Sequence, residues 1–73
     1  MILRILIDET ITSVECEEWL DAKALLQKAR EEATDQPYVC DALDLASTAL
    51  ALDLPTMAEG YLHHAQERLG VVA

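Results

Sequence analysis

PYVCDALDLASTALALDL, residues 37–54, shows one narrow polar stripe when wound at 3.6 residues per turn: Asp41, Asp44, and then Ser47 or Thr48. Val39, Ala42, Leu43, Leu45, Ala46, Ala49, Leu50, Leu52 and Leu54 cover the rest of the circumference. A helix apolar on most of its surface needs neighbours on several sides, and a chain of 73 residues has few to offer. A domain of that size buries only about 60% of the surface its unfolded chain exposes, so a disulfide, a metal or a second subunit commonly supplements the core. The chain reads as one small, mainly all-α domain completed by homodimerisation.

Composition narrows the class. The chain is 52% apolar, with one Trp, two Tyr and no Phe, so the apolar content is largely Ala and Leu, residues suited to helix packing. Asp41, Asp44 and Asp53 interrupt the longest apolar runs, which excludes a transmembrane span of about 20 uncharged residues. MILRILIDE turns acidic too soon for a signal peptide, and an intracellular, cytoplasmic protein is expected. Fourteen acids against five bases give a net charge of -9. Such a charge repels nucleic acid and anionic membranes and favours a basic partner.

Outward from the central stretch, residues 1–7 form a run rich in β-branched side chains, expected as a strand or extended arm whose open edges make it a contact surface. Thr12-Ser13-Val14-Glu15 has the pattern of a capping box, which starts helix 1 over residues 13–34. Glu15, Glu17 and Glu18 then fall at the favourable positive pole of that helix. Trp19, Ala22, Leu26, Ala29 and Ala33 recur at steps of three and four, a seam for antiparallel packing. Pro37 opens helix 2 (37–53) after a short connection, with Asp35 or Gln36 as cap. Thr56-Met57-Ala58-Glu59 is a second capping box, opening helix 3 (56–69), and residues 71–73 are a short tail.

Leu45 and Ala46 in helix 2, with Ala58, Leu62 and Ala65 in helix 3, resemble a single tetratricopeptide-type helical pair over residues 42–70. Ala42 and Ala49 stand where that repeat carries larger side chains. The resemblance implies a peptide- or protein-binding helical scaffold and not an enzyme. No second repeat is read, although such repeats need stacked neighbours.

Few residues carry candidate chemistry. Cys16 and Cys40, each near a helix start on antiparallel helices, are expected roughly 20 Å or more apart and unbridged. Glu59, His63 and Glu67 share one helix face and define a metal-binding alternative, but no Cys/His spacing matches a structural zinc site and no glycine-rich loop occurs, so no metal and no cofactor are expected. Gly60 in mid-helix marks either a close approach by another backbone or a tolerated surface glycine.

The expected function is a non-enzymatic interaction module, a homodimeric inhibitor or adaptor that binds a protein partner with a basic or apolar-groove surface. In size and charge it resembles phage-encoded inhibitors of host regulators and defence systems, and antitoxins. The acidic face is expected from Asp8, Glu9, Glu17, Glu18, Asp21, Asp41 and Asp44, and the core or dimer interface from Ile5, Ile7, Trp19, Leu26, Leu43, Leu50 and Leu52. The alternative is a nucleic-acid mimic of the anti-CRISPR or anti-restriction type, which the intermixed Lys23, Lys28 and Arg30 oppose. Direct nucleic-acid binding and membrane association are not expected.

Overall fold

The computed structural model describes residues 2–70 and contains four helices: α1 (Ile2–Glu15), α2 (Trp19–Glu32), α3 (Pro37–Ala51) and α4 (Pro55–Glu67). The tail at 71–73 and Met1 lie outside the described residues. Among the described residues no helix is long and apolar enough to cross a membrane. Each helix packs on the next in sequence, and α4 closes the ring by packing on α1. The two diagonal pairs do not meet, so the arrangement is an up-down-up-down square.

The segment expected as a strand is the first half of α1. A strand would put Leu3, Ile5 and Ile7 on one face, but Leu3 and Ile7 are buried while Ile5 is exposed. Leu3, Ile7, Thr10, Ile11 and Val14 are buried at helical spacing, so core packing overrides the strand preference of the β-branched residues. Thr12 does not cap a helix; its hydroxyl sits within α1 and donates to the Asp8 carbonyl at 3.1 Å. Thr10, fully buried, donates in the same way to the Leu6 carbonyl at 2.6 Å.

The single helix expected over 13–34 is broken. Glu17 takes a φ of 59°, its amide donates to the Val14 carbonyl at 3.1 Å, and the Glu18 amide donates to the Ser13 carbonyl at 2.8 Å. That pair of bonds is a Schellman motif, and it ends α1 and aims the chain back as α2. Glu15 and Glu17 therefore lie at the negative pole of α1, the reverse of the favourable placement expected for them.

The α3–α4 turn repeats this chemistry. Asp53 has φ 60°, with Asp53 donating to Leu50 at 3.1 Å and Leu54 to Ala49 at 2.8 Å. Here Pro55 opens α4, and no side chain caps it, so the second expected capping box is not formed either. Glu17 and Asp53 are 36 positions apart, and the same offset relates the two hairpins throughout. Ala22, Leu26 and Ala29 of α2 correspond to Ala58, Leu62 and Ala65 of α4, all buried. Ile7 corresponds to Leu43, and Thr12 with Asp8 to Thr48 with Asp44, whose hydroxyl-to-carbonyl bond is also 3.1 Å. The α3–α4 pair packs against the chain's own α1–α2 pair through α1 on α4 and α2 on α3.

One cluster of buried side chains draws on all four helices, with Ile7, Leu43 and Leu62 fully enclosed. Ile7, Leu26 and Leu43, expected at a core or dimer interface, are core residues of the single chain; Leu50 is half-buried against them. Ile5, Trp19 and Leu52 remain exposed. α3 packs on α4 and α2, which bury its Val39, Ala42, Leu43, Ala46 and Ala49, while Tyr38 and Leu45 stay exposed.

Candidate functional site

Helix periodicity puts Asp8, Glu9, Thr12 and Ser13 on one side of α1, and Asp21, Ala24, Leu25 and Lys28 on one side of α2. Because the helices are antiparallel, these two rows face each other. They line an open groove of about 560 Å³, with Ala24 and Leu25 as its apolar patch and three carboxylates against the single ammonium of Lys28. Lys28 makes no ion pair within 4.0 Å among the described residues. Asp8 also accepts a hydrogen bond from the Gln66 amide, which ties the groove's α1 wall to α4.

The structure brings Asp8, Glu9 and Asp21 together in this groove and sets Glu17 and Glu18 beside it. Glu17, Glu18, Trp19, Leu20 and Asp21 line an adjoining shallow hollow, with Asp21 shared between the two. Leu20 is 84% exposed there, a large apolar side chain on an acidic surface. Asp41 and Asp44 do not belong to the groove. Asp44 pairs with Arg30 at 2.6 Å, linking α3 to α2, and Asp41 is an exposed residue of α3. The groove is not legible with a helix that starts at residue 13, because its α1 wall then loses Asp8, Glu9 and Thr12; with a helix from residue 2, the i, i+1, i+4, i+5 spacing of 8, 9, 12 and 13 marks one face.

The 36-residue offset gives the groove a counterpart on α3 and α4. Glu9, Asp21, Ala24 and Leu25 correspond to Leu45, Met57, Gly60 and Tyr61, with matching degrees of exposure. The same backbone frame is therefore acidic on one hairpin and apolar on the other, where Leu45 is 47% and Met57 49% exposed. A Cβ added at Gly60 meets no atom within 4 Å, so Gly60 is not a point of close backbone approach within the chain.

No protein-family model, curated protein or solved structure matches the chain. The site is accordingly read from its own chemistry.

One helical repeat beyond Asp8 on the same side of α1, Glu15 lies beside Glu59 and His63 of α4. The hydrogen bond with Glu59 and then its like charge raise the Glu15 carboxyl above its ordinary value of 4.5, desolvation adds to the rise, and His63 opposes it. His63 Nε2 is 3.9 Å from Glu59, and Nδ1 is 3.2 Å from Gln66 Oε1. Among the described residues no three His, Cys, Asp or Glu side chains are grouped to hold a metal ion, which leaves the Glu59, His63 and Glu67 alternative without a site. Cys16, exposed in the α1–α2 turn, and Cys40, half-buried on α3, are both free thiols.

Proposed function

We propose that the protein is a non-enzymatic interaction module whose acidic α1–α2 groove binds a basic, amphipathic segment of a protein partner and blocks it. The observation that supports this reading is the convergence of Asp8, Glu9 and Asp21 around Ala24 and Leu25, with Glu17, Glu18 and the exposed Leu20 continuing the surface. Carboxylates around an apolar strip complement a helix with basic and apolar faces. A groove for mimicry of a phosphate backbone has no use for the apolar strip or for Lys28, so the nucleic-acid mimic is the weaker reading. The inhibitor roles expected from size and charge are compatible with such a groove.

The homodimer belongs to this proposal in altered form. The buried face of α3 lies within the single chain, so the proposed association joins folded chains, and the α3–α4 face with Leu45, Met57 and Tyr61 is our assignment for it.

Amide NMR spectra with a lysine-rich amphipathic peptide test the groove. Shifts are expected at Glu9, Thr12, Asp21 and Ala24, weakening from about 0.01 M to about 1 M salt as the Debye length falls from about 30 Å to about 3 Å. Glu9→Lys with Asp21→Lys is expected to abolish them while circular dichroism stays unchanged. Shifts confined to other faces, or none, overturn the reading.

A further inference from the structure

The hollow at the start of α2 opens on its far side into a second concavity. Trp19 belongs to both, and Trp19, Lys23, Leu50, Asp53, Leu54 and Pro55 line a cleft of about 180 Å³ between the start of α2 and the Schellman turn that joins α3 to α4. Asp21 joins the acidic groove to the hollow, and Trp19 joins the hollow to the cleft, so one path leads from Lys28 along α2 and around its first turn. The cleft walls are Trp19, 37% exposed, the half-buried Leu50, the exposed Leu54 and Pro55.

We propose that this cleft seats one large apolar side chain of the basic segment whose charged face lies in the α1–α2 groove; the proposal rests on the groove reading above. Charge decides the occupant. Glu17, Glu18, Asp21 and Asp53 border the path against Lys23 and Lys28, so an apolar side chain carried by an acidic or neutral surface meets repulsion or no attraction, and one carried by a basic surface is drawn in. A second copy of this chain, with its net charge of -9, is disfavoured at this rim by the same argument. The chemistry is that of an anchor: a tryptophan-walled pocket contributes affinity by removing apolar area from water, while the surrounding carboxylates set orientation and encounter rate.

Trp19 is the chain's only tryptophan, so its emission reports the cleft directly. The probe is a set of helical lysine–alanine peptides of identical charge, each with a single leucine at a different position, compared with the all-alanine parent. One leucine register is expected to shift Trp19 emission to the blue and tighten binding about tenfold or more over the parent, as burial of one leucine side chain implies. Leu54→Asn, which removes the apolar wall without adding charge, is expected to erase that gain and leave parent binding intact. If the parent perturbs the groove amides but no leucine position changes Trp19 emission or affinity, the anchor proposal fails and the groove reading stands. If no peptide perturbs the groove, both fail. A Trp19 emission that depends on the protein's own concentration assigns the cleft to a second copy and overturns the proposal.

Discussion

Glu17 and Asp53 hold the same left-handed backbone conformation, φ 59° and 60°, at the same point of two successive helical hairpins. Neither is glycine, the residue that adopts this conformation at least cost. Each is acidic, and each lies at the end of the bundle where the acidic hollow and the tryptophan cleft lie. The turns that fold the chain back on itself are therefore also the rim of the surface assigned to a partner.

Relief of that strain is measurable. Glu17→Gly and Asp53→Gly remove a Cβ from a left-handed position, which for ordinary residues costs about 1 kcal/mol. Each change is expected to stabilise the fold by up to about 1 kcal/mol, read as a higher urea midpoint at unchanged slope. A loss of stability in both variants would contradict the capping geometry.

The core prediction separates equivalent helices from their exposed faces. Leu43 is fully buried between hairpins, so Leu43→Ala is expected to cost about 2–5 kcal/mol, enough to unfold much of a domain this small. Met57→Ala, on the exposed face of α4, is expected to cost less than about 0.5 kcal/mol. Chemical denaturation of the two variants side by side checks the assignment.

Much of the second hairpin is legible in the sequence. Pro37 and Pro55 each stand at a helix start, and Ala58, Leu62 and Ala65 recur at helical spacing, so the boundaries of α3 and α4 fall within two residues of expectation. The first hairpin is not. Ile2, Ile5 and Ile7 mimic a strand, and the break after Glu15 carries no Gly or Pro, because Glu17 supplies the left-handed residue at an energetic cost that composition does not reveal. The acidic residues of the groove were named from charge alone, whereas their convergence needed α1 to be helical. Asp44, expected on the acidic face, pairs with Arg30 of α2 at 2.6 Å, a contact that charge counting along the sequence does not reveal.

The Glu15–Glu59 contact makes stability depend on pH. Glu15's carboxyl is raised in the folded protein, chiefly by Glu59, so the folded state binds protons more readily than the unfolded chain. Stability is then full below the ordinary value of 4.5 and is lost as pH rises through the elevated folded value. Glu15→Gln removes the like-charge contact and is expected to flatten this fall between about pH 4.5 and neutrality, with higher stability than the parent at pH 7. Urea midpoints across that range, taken for both proteins, give the answer; parallel pH profiles would show that the Glu15 contact does not shape the pH dependence.

Gly60 and its neighbours carry the last prediction. In the isolated chain nothing occupies the space above Gly60, so Gly60→Ala is expected to stabilise the helix by about 0.5–1 kcal/mol through lower unfolded-state entropy and better helix propensity. If two folded chains associate through the α3–α4 face, the same methyl sits in their interface and must also weaken association. Sedimentation equilibrium and denaturation on one variant therefore discriminate: stabilisation with unchanged mass distribution assigns Gly60 to an unpaired surface, and stabilisation with a shift toward monomer assigns it to the contact. Leu45→Lys with Met57→Lys completes the test, since both side chains are about half exposed and the double change is expected to dissociate any dimer formed through this face while leaving the helical signal intact.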